Sequence, residues 1–204
     1  MHISWLGNTA IRLQAKSGSN DVNIVIDPYK PSKGSAPRSL TPQIALYTRG
    51  SDNSITLSGD PFVLETAGEC ETSGVLMYAA QGNEPGNNIV RIDSEGMSLG
   101  HLGMLSQEPN DAQMEILSGV DVLFIPVGGN GCYDAQKAVK IVNMIEPRVV
   151  IPMAYQCDND PKAADVSAFL KELGMKTDAP EKKVIIKKKD LPQEDMLVFV
   201  LEKE

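Results

Sequence analysis

Two apolar runs in the second half of the chain restrict the fold more than any other feature. They cover residues 120–127 and 148–153, and such runs are typical of strands that are covered on both faces. Between them, apolar residues recur with the spacing of one helix face, namely Ala135, Ala138, Val139, Val142 and Ile145. This helix is predicted to end before Pro147. The pattern indicates a buried sheet with helices packed against it.

The first half of the chain predicts strands only. Short segments with strand character are separated by Gly, Asn and Asp turn signals, and they cover 3–6, 10–13, 22–26, 44–48, 62–65, 75–80, 89–93 and 97–101. Two further helices are predicted, one from a capping box at Asn110 and Gln113 to Gly119, the other from Asp160 and Pro161 to Gly174. Strands at 183–187 and 196–201 follow. No repeat or linker divides the chain, so we expect a single domain over residues 1–204.

Charge and composition exclude several classes of partner. The net charge is -8, and between residues 50 and 136 the only basic residue, Arg91, faces 13 acidic ones. Such a segment repels phosphate backbones, so we expect no nucleic-acid binding. No apolar run approaches the roughly 18 residues of a membrane span, so no membrane association is expected. The first residues do not resemble a signal peptide, which leads us to expect a cytoplasmic protein.

Several short motifs occur in a characteristic order. They read ISWLGNTA at 3–10, IDPY at 26–29, GECETSG at 68–74, HLG at 101–103, DVLFIPVGG at 121–129 and IPMAY at 151–155. This succession resembles the metallo-β-lactamase superfamily, and in particular its short, lactonase-like members. The resemblance implies an α/β (α+β) fold, the four-layer αββα sandwich, with an active site along the edge where the loops converge.

The resemblance also implies a site for one or two zinc or iron ions, but the ligand positions are substituted. Non-ligating or poorly ligating groups occupy them, namely Asn8, Arg49, Ser51, Asn53, Ser54, Met104 and Ala154. Arginine keeps its proton near neutral pH, alanine has no donor atom, and methionine is a soft ligand. We therefore expect a degenerate metal site, no metal bound in the family manner and no cofactor.

A second group of polar residues is expected to line the former pocket. Its members are Asp27, Asp52, Glu69, Glu71, His101 and Tyr155. We expect the guanidinium of Arg49 to replace the metal's charge by pairing with Asp27 or a glutamate, the alternative being an arginine that points into solvent. His101 is either a buried histidine bonded to a backbone carbonyl or a general base.

These observations favour a non-catalytic pseudoenzyme that binds an unknown small molecule or protein partner in the old pocket. Two alternatives stay open. One is a hydrolase of the esterase, lactonase or phosphodiesterase type that uses a non-family site around His101 and the acidic residues. The other is a structural or oligomeric scaffold, including a homodimer.

Overall fold

The computed structural model describes residues 1–82, 84–176 and 178–204. Most of the strands belong to two sheets. In chain order the strands are β1 (His2–Gly7), β2 (Ala10–Ser17), β3 (Asn20–Ile26), β4 (Ser39–Leu40), β5 (Ile44–Leu46), β6 (Thr56–Leu57), β7 (Phe62–Leu64), β8 (Gly68–Thr72), β9 (Val75–Gln81), β10 (Asn88–Ser94), β11 (Met97–His101), β12 (Val122–Pro126), β13 (Val149–Met153), β14 (Val184–Ile185) and β15 (Leu197–Val198).

The first sheet has the strand order β14-β1-β2-β3-β5-β7, and the second has the order β15-β13-β12-β11-β10-β9-β8. Their facing sides form the main hydrophobic core. Side chains alternate along β3, so that Ile24 and Ile26 enter this core while Val25 joins a smaller cluster on the other face. That smaller cluster is completed by Tyr29 and Leu40, which lie in the segment that links β3 to β5.

Three α-helices lie in the second half, as predicted: α1 (Asp111–Leu117), α2 (Ala135–Ile145) and α3 (Val166–Leu173). A single 3-10 turn follows at Lys188–Asp190. The predicted capping box of α1 is present at Asn110 and Gln113. The helix α1 connects β11 to β12 and α2 connects β12 to β13, and these three strands are parallel. Crossover connections between parallel strands are usually right-handed, and two such connections in the same direction place both helices on the same face of the sheet.

The predicted start of the third helix was wrong. The helix begins at Val166, with Asp165 as its N-cap, and not at Asp160 and Pro161. Both carboxylate oxygens of Asp160 accept hydrogen bonds of 3.0 Å from the side-chain amide of Asn130. Asp160 therefore ties two loops together instead of capping a helix.

The parallel pairs determine where loops can form a common site. Strand β3 is parallel to β5, and β11, β12 and β13 are parallel to one another. The residues at or just beyond the carboxyl ends of these strands are Asp27, Thr48, His101, Gly128 and Ala154, and carboxyl ends of parallel strands are where ligand sites are usually built. In the described parts of the chain, no helix has both the length and the apolar character needed to cross a membrane.

Candidate active site

Asp27 and Thr48 form the most deeply buried polar pair of the site. Both residues are 0% exposed, because they follow two buried parallel strands of the first sheet. The Thr48 backbone N–H donates to Asp27 Oδ1 over 2.7 Å, and Thr48 Oγ1–H donates to Oδ2 over 2.7 Å. Each carboxylate oxygen therefore has a donor, which offsets the cost of burying the charge.

His101, at the end of β11, has both ring nitrogens bonded. Nε2 lies 2.9 Å from the carbonyl oxygen of Thr9, and the backbone N–H of Gly103 donates to Nδ1 over 3.2 Å. Because Nδ1 accepts, the proton of the neutral imidazole is assigned to Nε2, which donates to Thr9. The ring is 1% exposed. Its tautomer and orientation are thus determined by two backbone groups.

The electrostatic surroundings keep this imidazole neutral. Burial lowers the pKa of His101, the negative charge of Asp27 and the hydrogen bond with Thr9 raise it, and the positive charge of Arg49 lowers it further. The net direction is downward from the usual value near 6.5. At neutral pH His101 is therefore the free base, which is the protonation state that a general base requires.

Arg49 lies beside this group but does not form the expected ion pair. Its guanidinium carbon is 4.8 Å from the centroid of the Tyr29 ring, which is a cation–π geometry. Across the described residues it forms no salt bridge with a carboxylate. The expected pairing with Asp27 or a glutamate was wrong, since both oxygens of Asp27 already accept from Thr48.

Besides Asn53 in the rim loop, at φ 60°, three residues of the site have a left-handed backbone without being glycine. They are Asn8 at φ 49°, Asp27 at φ 49° and Ala154 at φ 54°. The Ala154 N–H donates to the Asn8 carbonyl over 2.9 Å. Gly128 approaches the same place so closely that a Cβ there would overlap the Ala154 carbonyl oxygen. Left-handed non-glycine residues cost about 1–3 kcal/mol each and concentrate at functional sites.

The other residues that the resemblance matched to metal ligands lie at the rim. Ser51, Asp52 and Asn53 are exposed, in the loop that follows Thr48. Ser54 Oγ donates to the Ser51 carbonyl over 2.9 Å, so this serine is bonded within its own loop and is not paired with His101. Met104 is half-buried and lies within the turn that the Leu105 N–H closes on the Leu102 carbonyl.

Three other predicted pocket residues are not brought into this group. Glu69 and Glu71 are exposed on the edge strand β8, where they pair with β9. The Tyr155 ring stacks on Trp5 with 4.3 Å between centroids, and its hydroxyl donates to the Leu201 carbonyl. Tyr155 thus belongs to the packing behind the site.

Several residues that bond to the site residues were not predicted from the sequence. Thr48 donates both hydrogen bonds to Asp27. Backbone atoms of Thr9 and Gly103 bond to His101, and the Tyr29 ring lies against the Arg49 guanidinium. The Thr9 hydroxyl is buried and has no hydrogen-bond partner within the described ranges. Thr48 could have been identified, because it opens the loop in which the ligand positions lie. The partners of His101 are backbone atoms, which almost any residue type supplies, so the sequence contains no indication of them.

The side chains at this place do not fit a metal ion. Among the residues that the structure describes, no three His, Cys, Asp or Glu side chains are grouped so that they could hold one. The carboxylate oxygens of Asp27 and the ring nitrogens of His101 are already engaged in hydrogen bonds. Within the described ranges, the site therefore offers no set of free donors of the kind that zinc requires.

Comparisons with known proteins identify the relatives of this chain. A sequence profile described as the β-lactamase superfamily domain matches residues 2–154. A UPF0173 protein of Pyrococcus furiosus is 39% identical over 75 residues, a segment that is 37% of this chain and only 33% of that relative's length. A UPF0173 metal-dependent hydrolase of Methanosarcina mazei is 23% identical over 232 aligned residues, with coverage of 91% and 95%.

Solved structures confirm the predicted fold class. A crystal structure from Thermotoga maritima, described as a proposed Zn-dependent hydrolase of the metallo-β-lactamase superfamily, superimposes with a TM-score of 0.80 at 24% identity and covers 99% of this chain and 100% of that one. Igni18, a metallo hydrolase from Ignicoccus hospitalis, has a TM-score of 0.63 at 16% identity, with coverage of 85% and 90%.

The expectation of a non-catalytic pseudoenzyme was wrong. The Methanosarcina mazei protein and a further Pyrococcus furiosus relative are both named metal-dependent hydrolases, and the Thermotoga maritima structure is described as a hydrolase as well. The expectation equated substituted ligand positions with the loss of hydrolysis. A hydrolase that uses residues outside those positions, around His101 and the acidic residues, was given only as an alternative.

Proposed function

The chain belongs to the β-lactamase superfamily, and on this premise we propose that it is a hydrolase of ester-type bonds, in carboxylic esters, lactones or phosphodiesters. The names of its relatives support a hydrolytic reaction. We place the reaction at the carboxyl ends of the parallel strands, around Asp27, Arg49 and His101. As part of the same proposal the protein works in the cytoplasm, since its three cysteines are free thiols.

The observation that carries this proposal is the strained, connected backbone of the site. Asn8, Asp27 and Ala154 all have positive φ. They converge on one place, since Ala154 bonds to Asn8 and the next residue, Thr9, bonds to His101. Burial lowers the pKa of that histidine, and the charge of Asp27 opposes this shift. In a catalytic site, strain holds reacting groups in place before the substrate arrives.

His101 is the general base of the proposed reaction. Its accepting atom is Nδ1, which is held by one hydrogen bond of 3.2 Å from Gly103. When that bond opens, Nδ1 takes a proton from a water molecule whose oxygen attacks the carbonyl or phosphoryl centre. The bond to the leaving alcohol breaks, and the proton passes from Nδ1 to the alkoxide. The Thr9 carbonyl holds Nε2–H throughout, and the Asp27 charge stabilises the imidazolium.

The proposed reaction relies on the side chains of this protein. The positions that the family resemblance matches to metal ligands hold Arg49, Ser51, Ser54 and Ala154, and these groups do not supply the donors that zinc requires. The unpartnered hydroxyl of Thr9 is a further polar group of the site, since a buried polar atom without a partner is uncommon in native proteins.

A screen of three chromogenic substrates tests the proposal: p-nitrophenyl butyrate, a thiolactone with thiol detection, and bis(p-nitrophenyl) phosphate. We expect hydrolysis of at least one substrate above the buffer rate. The His101→Gln variant is expected to lose about 100-fold or more in kcat, the usual contribution of a general base. No hydrolysis in any class, or an unchanged kcat in His101→Gln, contradicts the proposal.

A further inference from the structure

We propose that Arg49 binds an anionic group of the substrate, so that the protein acts on esters that carry a negative charge beside the scissile bond, such as phosphodiesters. This inference deepens the proposed function and rests on it. Arg49 stands at a position that the family resemblance matches to a metal ligand. In this proposal the residue at that position binds the substrate instead of a metal.

The guanidinium of Arg49 is held in place by one aromatic residue. The Tyr29 ring lies under it, with 4.8 Å from the guanidinium carbon to the ring centroid. The same tyrosine hydroxyl accepts the Arg49 backbone N–H over 3.0 Å and donates to the Gly50 carbonyl over 3.1 Å. Tyr29 thus fixes both the backbone and the charged end of this arginine, which reduces the entropy lost when a ligand binds.

The hydrogen-bond donors of this guanidinium are free to meet a ligand. Arg49 is exposed, and over the described part of the chain its side chain forms neither a salt bridge nor a side-chain hydrogen bond with a carboxylate. The nearby carboxylate of Asp27 accepts from Thr48. A planar guanidinium with unpaired N–H groups matches two oxygens of a phosphate or carboxylate.

The charge distribution of the chain gives a cation at this place its importance. The net charge is -8, and one basic residue faces 13 acidic ones between residues 50 and 136. A protein with this net negative charge repels an anionic substrate unless a local positive charge attracts it. The positive charge of Arg49 also acts on both His101 and Tyr29, so the cation lies within electrostatic reach of the proposed base.

Matched variants and two substrates test this inference. In Arg49→Met we expect KM for bis(p-nitrophenyl) phosphate to rise about 10-fold or more, the effect of losing one charge-assisted hydrogen bond. KM for the neutral p-nitrophenyl butyrate is expected to stay within about twofold. The control is Arg148→Met, which removes an arginine just before β13, at the opposite end of that strand from Ala154, and leaves both KM values unchanged. Equal losses for the two substrates in Arg49→Met overturn the inference.

Direct binding of inorganic phosphate separates this inference from the proposed function. Titration calorimetry on the wild type is expected to show phosphate binding that weakens at least about 10-fold in Arg49→Met and is unchanged in Arg148→Met. This result supports Arg49 as the anion-binding residue even if no substrate is hydrolysed. Equal phosphate affinity in the wild type and Arg49→Met, or no phosphate binding to the wild type, overturns the inference even if hydrolysis is observed.

Discussion

Both oxygens of the Asp27 carboxylate accept from one residue, Thr48, which donates from its backbone to one oxygen and from its hydroxyl to the other, each over 2.7 Å. The two residues follow neighbouring parallel strands, β3 and β5, and both are fully buried. Burial lowers the pKa of the proposed base, His101, and the negative charge that this threonine stabilises opposes part of that shift.

Replacing Thr48 by valine removes the hydroxyl donor at nearly constant volume. We expect Thr48→Val to lower the free energy of unfolding by about 1–3 kcal/mol, because one oxygen of a buried carboxylate loses its partner. Urea denaturation measures the difference. Thr48→Ser keeps the hydroxyl and is the matched control, for which we expect a smaller loss. If Thr48→Val and Thr48→Ser lower the free energy of unfolding by the same amount, the hydrogen bond from the Thr48 hydroxyl to Asp27 contributes nothing to stability.

Ala154 is expected to be a strained position. Its φ of 54° costs an L-residue roughly 1–2 kcal/mol, and glycine adopts this conformation without that cost. We expect Ala154→Gly to leave the free energy of unfolding unchanged or to raise it by up to about 1 kcal/mol, because the entropy that glycine gains in the unfolded chain offsets part of the relief.

The matched control for Ala154 is Ala168, which is exposed in α3. There the backbone is helical, so the same alanine-to-glycine change is expected to lower the free energy of unfolding by about 1 kcal/mol. Thermal or urea unfolding of the two variants side by side gives the comparison. If the free energy of unfolding falls as much in Ala154→Gly as in Ala168→Gly, the left-handed backbone at Ala154 is not strained.

The stability of the protein is expected to fall on the acid side because of His101. Burial lowers the pKa of folded His101, whereas in the unfolded chain it titrates near its ordinary value of about 6.5. The unfolded state therefore binds more protons below about pH 6.5, and the contribution of the neutral ring is lost as the pH falls. The slope from one such group reaches at most about 1.4 kcal/mol per pH unit.

Urea unfolding between about pH 8 and 5 checks this contribution. In His101→Gln the free energy of unfolding should depend less steeply on pH below about 6.5 than in the wild type, whatever its absolute value. The chain has only one other histidine, His2, whose pKa burial and the neighbouring Lys183 also lower. Since His2 is only partly buried, His2→Gln serves as the control and should change the slope less. Parallel pH curves for wild type and His101→Gln would refute the assignment.

Much of the fold could be predicted from the sequence, and the reasons are local. Apolar runs and helix periodicity predicted β12, α2 and β13, because the spacing of apolar residues along these segments matches the faces that are buried. The start of α3 could not be predicted correctly. Asp160 and Asp165 are both good N-caps in sequence, and only the tertiary hydrogen bonds from Asn130 to Asp160 decide between them.

For the site, sequence placed Asp27, Arg49 and His101 in one region but assigned the wrong partners. Pairing of Arg49 with a carboxylate was expected because the resemblance put Arg49 and Asp27 at the former metal site. In the structure that carboxylate accepts from Thr48, and the guanidinium lies against the Tyr29 ring. Such choices depend on distances between loops far apart in sequence. The same holds for His101, whose partners are backbone atoms of Thr9 and Gly103.

The most direct test of the central claim is the hydrolysis rate after dialysis against a strong chelator, measured in parallel for the wild type and His101→Gln. A reaction catalysed by the side chains around Asp27 and His101 predicts that the dialysed wild type keeps its kcat/KM within about twofold, while His101→Gln loses about 100-fold or more. Loss of the wild-type rate on dialysis, its recovery on adding Zn²⁺ and an unaffected His101→Gln variant would contradict the account.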